Sequence, residues 1–413
     1  MKKAIKFLIF TIALILSAFI GYSADKTDNA PLLGNIINQT ENNINYYDYK
    51  RHLYFSPEKK YVKYIGRSVY FNEALWFSMS GSGVEFITST DSLKISFITD
   101  NLQSLSSDHK PRIKITINDE IYFNNVLEEE NQDIFLDLSK YVGDKVVKII
   151  KLSESMYSSC GISKISVYDD KDISPTDDRD LKIEFIGDSI TAGYGIDEDN
   201  PYRSFSTETE NFSKTYAYLT AEALKADYST VAFSGYGVLS GQNKTDCVIS
   251  KYYEKAITNK IFDSPYPLDK WSFNNFTPDI IVINLGVNDV NYCYTQTRKE
   301  SFMQKYKELI GLVRWNNKDA HILCVLGEIN NSMFPYIEKA VSEYIDDTGD
   351  SKVYCDTLDF EMRNYTSAID GHPSAQSHIA ASENLTSIIT DIFNNNFISS
   401  YEKDKVEAVA LVE

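Results

Sequence analysis

The stretch EFIGDSITAGYG, residues 184–195, ends an apolar run in Gly187-Asp188-Ser189 and continues with small, helix-compatible residues. A serine hydroxyl is a weak nucleophile until a general base comes within hydrogen-bond reach. The chain holds five histidines, so the base can be sought by elimination. His52 lies in an entry segment, His109 in a charged loop, and His321 at the amino end of an apolar run. His378 falls within the helical pattern SAQSHIAASENLTSII, where it faces outward or packs. His372, in DGHPSAQSH (370–378), is left as the base. Asp370 is the candidate to orient its ring and to stabilise the imidazolium that forms on proton transfer.

Acyl transfer also requires donors aimed at the developing oxyanion. Ser189 opens a helical stretch, so its backbone N–H is available and a helix dipole favours negative charge there. Gly235, in SGYG, presents a backbone N–H without steric hindrance, and Asn288, in LGVND, adds a side-chain N–H. Each motif alone also reads as a cap or a turn. Their order in one segment is what argues for a site.

Two kinds of element must carry these residues. From about 60 to 170, short alternating runs such as GVEFITST, LKISFITD, PRIKITIND and KVVKIIKLSE recur between Gly, Asn and Asp, which predicts a β-sandwich or jelly roll. After the charged stretch DDKDISPTDDRD, apolar strands at 181–187, 227–235, 278–286, 320–328 and 351–358 alternate with helical stretches at 213–225, 299–316 and 333–347. That rhythm predicts a parallel sheet covered by helices on both faces, with its ligand crevice at the carboxyl ends of the strands. Ser189 and Asn288 follow such ends, and Gly235 forms one.

The motifs FIGDSITAGYG, SGYG, INLGVND and DGHPS resemble blocks of the SGNH (GDSL-type) hydrolases over about residues 180–395. The resemblance implies a flavodoxin-like three-layer α/β/α serine esterase domain. In it Ser189 is the nucleophile, His372 the base, and Ser189, Gly235 and Asn288 the oxyanion donors. The preceding segment is similar to the jelly roll of family-two carbohydrate esterases, which are secreted deacetylases of plant polysaccharides such as xylan and glucomannan. The superfamily commonly has Asp three residues before the histidine, whereas Asp370 is two before His372. A triad through Asp370 and a Ser-His dyad therefore both stay open. The segment SPYPLDKWSFNNFTPD also resembles this family, which places an aromatic near the substrate. Trp271 either stacks on a sugar or packs as core, and Asp188 is a second expected substrate-binding residue.

The expected organisation is a signal peptide (1–24), a polar entry segment (25–58), a β-sandwich (59–172), the hydrolase domain (180–397) and a C-terminal tail (398–413). The basic, apolar and small-residue regions of the first segment imply secretion to the extracellular space, cell surface or periplasm, with an uncleaved anchor as the alternative. Cleavage would leave no stable membrane insertion. A net charge of −18 argues against nucleic acid, whose phosphates demand a basic surface. Five scattered cysteines encode neither a disulfide scaffold nor a zinc site, although one or two disulfides stay open. The chemistry needs no metal or organic cofactor. The expected partner is an acetylated polysaccharide or oligosaccharide, cleaved through an acetyl-serine, with 6-O acetyl groups as the position that the resemblance suggests. A lipase or acyl esterase on other esters, and a non-catalytic carbohydrate-binding protein, are the alternatives.

Overall fold

The run SLKISFIT buries every second side chain, as a strand with one face on a core must. It belongs to the first part of a computed structural model that describes residues 53–100, 106–257, 270–327, 330–361 and 367–398. The expected signal peptide, nearly all of the entry segment and residues 399–413 of the tail lie outside the described residues. The strands of this part are β1 (Leu53–Phe55), β2 (Lys63–Ile65), β3 (Val69–Phe71), β4 (Ala74–Phe77), β5 (Gly83–Thr88), β6 (Ser92–Thr99), β7 (Arg112–Ile117), β8 (Glu120–Val126), β9 (Asn131–Asp137), β10 (Lys145–Lys151), β11 (Cys160–Val167) and β12 (Ile173–Pro175). They build two antiparallel sheets. One is ordered β3-β4-β11-β6-β9 with β1 also on β11, the other β12-β5-β10-β7-β8 with β2 also on β5. Phe77, Phe86, Phe97, Ile115, Val147 and Ile162 fill the space between them, so the expected β-sandwich is present.

The second part is a parallel sheet of β13 (Lys182–Gly187), β14 (Asp227–Ala232), β15 (Ile280–Asn284), β16 (His321–Gly327) and β17 (Val353–Leu358), ordered β14-β13-β15-β16-β17. Every residue of β15 is buried, as a strand covered on both faces should be. The helices are α1 (Ser189–Ala192), α2 (Tyr216–Ala223), α3 (Gln296–Asn316), α4 (Phe334–Thr348) and α5 (Ala375–Phe393). On one face Phe302 and Ile310 of α3 and Ile337 of α4 pack with Ile281 and Ile283. On the other, Ala221 of α2 and Leu385 and Ile389 of α5 pack with Phe185 and Val282. This is the expected α/β/α arrangement. From β13 the chain goes to one side and then crosses to the other, so the strand order reverses between β13 and β15, the place where α/β sheets form ligand crevices.

One outer face of the sandwich is charged and lies against the parallel sheet. Lys63 pairs with Asp227 at 2.7 Å, Lys148 with Glu222 at 2.9 Å, and Arg112 with Asp197 at 2.8 Å. Deeper still, Arg67 meets Glu184 of β13 at 2.8 Å with both side chains out of solvent. Such a pair offsets its desolvation only when the remaining polar atoms are also satisfied. Arg67 donates to the carbonyls of Tyr253 and Lys255, and Tyr253 Oη donates to Glu184, which leaves Arg67 Nε without an acceptor among the described residues. No helix among the described residues is long and apolar enough to cross a membrane.

Candidate active site

Gly187 ends β13 where a Cβ would strike the Thr191 side chain at 2.0 Å, so only glycine lets the chain turn this tightly into α1. The turn exposes Ser189 to an open cleft of about 610 Å³, lined also by Tyr157, Gly235, Asn288, Asn291 and His372. Ser189 Oγ lies 2.8 Å from His372 Nε2, although 183 residues separate the two in the chain. His372 Nδ1 lies 3.1 Å from the carbonyl oxygen of Ile369. A carbonyl can only accept, so Nδ1 carries the ring proton and Nε2 presents its lone pair to the serine hydroxyl. Burial lowers the His372 pKa below its ordinary value, while the Ile369 carbonyl and the Asp370 charge pull it back up. The ring is therefore neutral at neutral pH and able to take a proton.

Of the two arrangements left open, the contact at Nδ1 matches the one without Asp370. Asp370 stands in a left-handed conformation (φ 51°) in the turn before His372, and its carboxylate accepts from Tyr194 Oη at 3.0 Å. That turn swings the Ile369 carbonyl to Nδ1 and leaves the Asp370 carboxylate beyond it. The contact at Nδ1 is that of a dyad with a backbone orienter, and Asp370 reaches the ring only through its charge. Tyr194 also stacks on His372 at 4.4 Å between ring centres, and the stack continues through Phe205 and Tyr157 to His109. Both faces of Tyr194, Phe205 and Tyr157 are thereby covered.

Gly235 follows β14 with φ 78°, a conformation that glycine adopts freely. Its N–H, like that of Ser189, has no acceptor among the described residues. The helix that starts at Ser189 is one turn long, so it supplies an N–H and little dipole. Asn288, mostly buried, lines the same cleft, with its Nδ2 donating to the Tyr236 carbonyl at 2.9 Å and to Asp188 Oδ2 at 3.2 Å. Asp188, expected on the substrate side, is buried at 1% exposure. Its other oxygen caps Ile190 N at 3.0 Å. It holds the turn at Ser189 and Asn288, and burial pushes its carboxyl up to about 7. Asp289, the residue after Asn288, escaped the sequence reading. Its two oxygens accept from the amides of Val238, Leu239 and Ser240 at 2.8–2.9 Å, which anchors the loop that follows Gly235.

Trp271 is not in the cleft. At 5% exposure it packs beside the Arg67 guanidinium, 5.3 Å from its ring centre, and its amide donates to the Glu254 carbonyl. A desolvated guanidinium is stabilised by an aromatic face beside it, which is the place Trp271 takes. His378 is likewise buried, with Nδ1 accepting from Tyr216 N at 3.0 Å, and burial drives its pKa down to about 3. His321 sits at the amino end of β16, away from the rim.

The model of the GDSL-like lipase/acylhydrolase family matches residues 185–378, a span that opens in β13 just before Ser189 and closes just beyond His372. Those residues form a GDSL-like domain. Around it, the chain is 34% identical over 216 residues to the cellulase/esterase CelE of Acetivibrio thermocellus, which is 50% of this chain and 25% of that protein. It is 28% identical over 250 residues to an acetylxylan esterase / glucomannan deacetylase of Cellvibrio japonicus, 56% of this chain and 65% of that protein. The chain thus spans less than two thirds of either relative. An acetyl xylan esterase, Est2A, from the rumen bacterium Butyrivibrio proteoclasticus shares the fold with a TM-score of 0.75 at 21% identity, over 83% of this chain and 98% of that one. That coverage exceeds the GDSL-like domain and takes in sandwich as well as parallel sheet.

Proposed function

We propose that this protein is a serine esterase that removes O-acetyl groups from plant polysaccharides such as xylan and glucomannan, including acetyl groups on primary 6-hydroxyls. The observation that carries the reading is the Ser189–His372 contact of 2.8 Å with the proton on the far side of the ring. Ser189 Oγ attacks the acetyl carbonyl as His372 Nε2 takes its proton. The N–H groups of Ser189 and Gly235 receive the oxyanion, and Asn288 joins them by exchanging its longer bond to Asp188. Collapse returns the proton to the sugar oxygen. Water, deprotonated by the same Nε2, then attacks the acetyl-serine, and acetate leaves as the imidazolium returns its proton to Ser189 Oγ. The acetyl group as the acyl transferred and a carbohydrate as its carrier come from the names of the relatives, and the proposed secretion through residues 1–24 agrees with a polymeric substrate outside the cell.

Acetate release from acetylated xylan and glucomannan, measured beside 4-nitrophenyl acetate and butyrate and beside Ser189→Ala, tests this. Polysaccharide deacetylation should be rapid and should fall beyond about ten-thousandfold in the variant, as for other activated serines. Turnover that favours butyrate and spares the polysaccharides would make the protein an acyl esterase on other substrates. Full activity in Ser189→Ala would remove the mechanism.

A further inference from the structure

Glu154, in the loop after β10 of the sandwich, is fully buried next to the rim of the parallel sheet. Its Oε2 accepts from Ser234 N at 2.8 Å, and Ser234 is the residue before Gly235. Its own amide donates to Glu210 Oε2 at 3.0 Å. Glu210, also fully buried, precedes Asn211, whose N–H bonds to the Gly193 carbonyl at 3.1 Å, and the Gly193 N–H in turn bonds to the Ser189 carbonyl. A chain of four hydrogen bonds thus runs from the loop that bears Gly235 to the turn that bears Ser189, and its central link is supplied by the sandwich. Lys151 Nζ fixes that link from behind by donating to the carbonyls of Ser153 and Glu154.

We propose that Glu154 is a positioning residue that sets the distance between the Gly235 and Ser189 amides, so that the sandwich is a working part of the oxyanion site rather than an appendage. The inference rests on the oxyanion role given to those amides above. Oxyanion stabilisation depends on donors held within a few tenths of an ångström of where charge develops, and Glu154 anchors to the sandwich the Phe233–Ser234 peptide, the one directly before the peptide that carries the Gly235 N–H. The required property of residue 154 is an acceptor oxygen of the right reach, not a negative charge. Burial pushes the Glu154 carboxyl up to about 7 and that of Glu210 well above its ordinary value, which is consistent with a neutral side chain doing the same work.

Glu154→Gln keeps the reach and an acceptor oxygen, whereas Glu154→Asp keeps the carboxyl group and is one methylene short. With 4-nitrophenyl acetate, Glu154→Gln should keep kcat within about threefold of the parent. Glu154→Asp should lose kcat toward the roughly hundredfold that a missing oxyanion donor costs, with KM nearly unchanged because ground-state binding is not affected. Melting temperatures measured alongside separate this from simple destabilisation. Equal kcat in parent and Glu154→Asp well below the melting temperature, or an equal loss in both variants, would overturn the proposal. Turnover that survives in Ser189→Ala would instead sink the esterase reading and is scored separately.

Discussion

At the seam between sandwich and parallel sheet, Glu184 faces Arg67, Asp227 faces Lys63, and Asp197 faces Arg112. At the rim above β13 and β15 the buried carboxyls are held differently. Asp188 and Asp289 accept from amides, as Glu154 does, and no cation pairs with them among the described residues. A cation facing a buried carboxylate docks one layer on another, and removing it strands a charge. A carboxyl that gathers backbone amides shapes a loop, and its loss moves whatever else that loop carries. The seam should therefore answer to stability measurements and the rim to kinetics.

Arg67→Met is the strongest way to break this contrast. It leaves Glu184 buried without its cation and should lower the unfolding free energy by about 3–5 kcal/mol. Turnover of 4-nitrophenyl acetate per folded molecule, read well below the transition, should stay near that of the parent. A large kcat loss in a stably folded Arg67→Met would show that the seam also tunes the site.

Asn288→Ala tests the other side. Loss of one oxyanion donor costs about 2.7–4 kcal/mol of barrier, a hundred- to thousandfold in kcat. Denaturant titration should show the smaller penalty, about 1–3 kcal/mol, of the buried partners left without their amide. If stability falls while kcat holds, Asn288 belongs with the seam residues as a structural amide.

A pH profile sharpens the comparison without a mutation. In the proposed mechanism the neutral His372 ring is the active form, and burial has moved its pKa below 6.5. The rate should thus be flat through neutral pH and fall only as pH drops through that lowered value. Asp370 contributes an upward pull through its charge, so Asp370→Asn should move the acid limb to still lower pH while leaving the plateau close to the parent. A collapse of the plateau itself would make Asp370 an orienter after all.

Much of the architecture was legible because burial leaves a period in the sequence. The parallel strands are continuous apolar runs, and the helices expected at 299–316 and 333–347 are found at Gln296–Asn316 and Phe334–Thr348. β8, with the half-exposed sequence EIYFNNV, carries no such pattern and escaped. Ser189, Gly235 and Asn288 were visible because each ends or follows an apolar run in an unusual residue, and His372 because the other four histidines could be set aside by their places in the chain. The Ile369 carbonyl was not, since a backbone oxygen has no side-chain signature, and Asp370 was only the nearest carboxylate in the chain. Glu154 was hidden for another reason: its partner amide is 80 residues away, and nothing local marks a glutamate as buried.

Trp271 gives the smallest and most discriminating effect. An indole that stacks on sugar would raise KM for a polysaccharide when replaced, and would leave 4-nitrophenyl acetate untouched. An indole that walls a buried guanidinium makes the opposite demand. Its replacement by Phe keeps a ring beside Arg67 but weakens the cation–π contact, at a cost of about 0.5–2 kcal/mol in stability. With Trp271 at 5% exposure, the expectation for Trp271→Phe is a slightly lower melting temperature and equal KM for acetylated xylan and glucomannan. An elevated KM with unchanged stability would require the indole to swing into the cleft, which its packing against Arg67 opposes. The same variant thus reports whether the seam under the site is purely architectural or reaches the substrate.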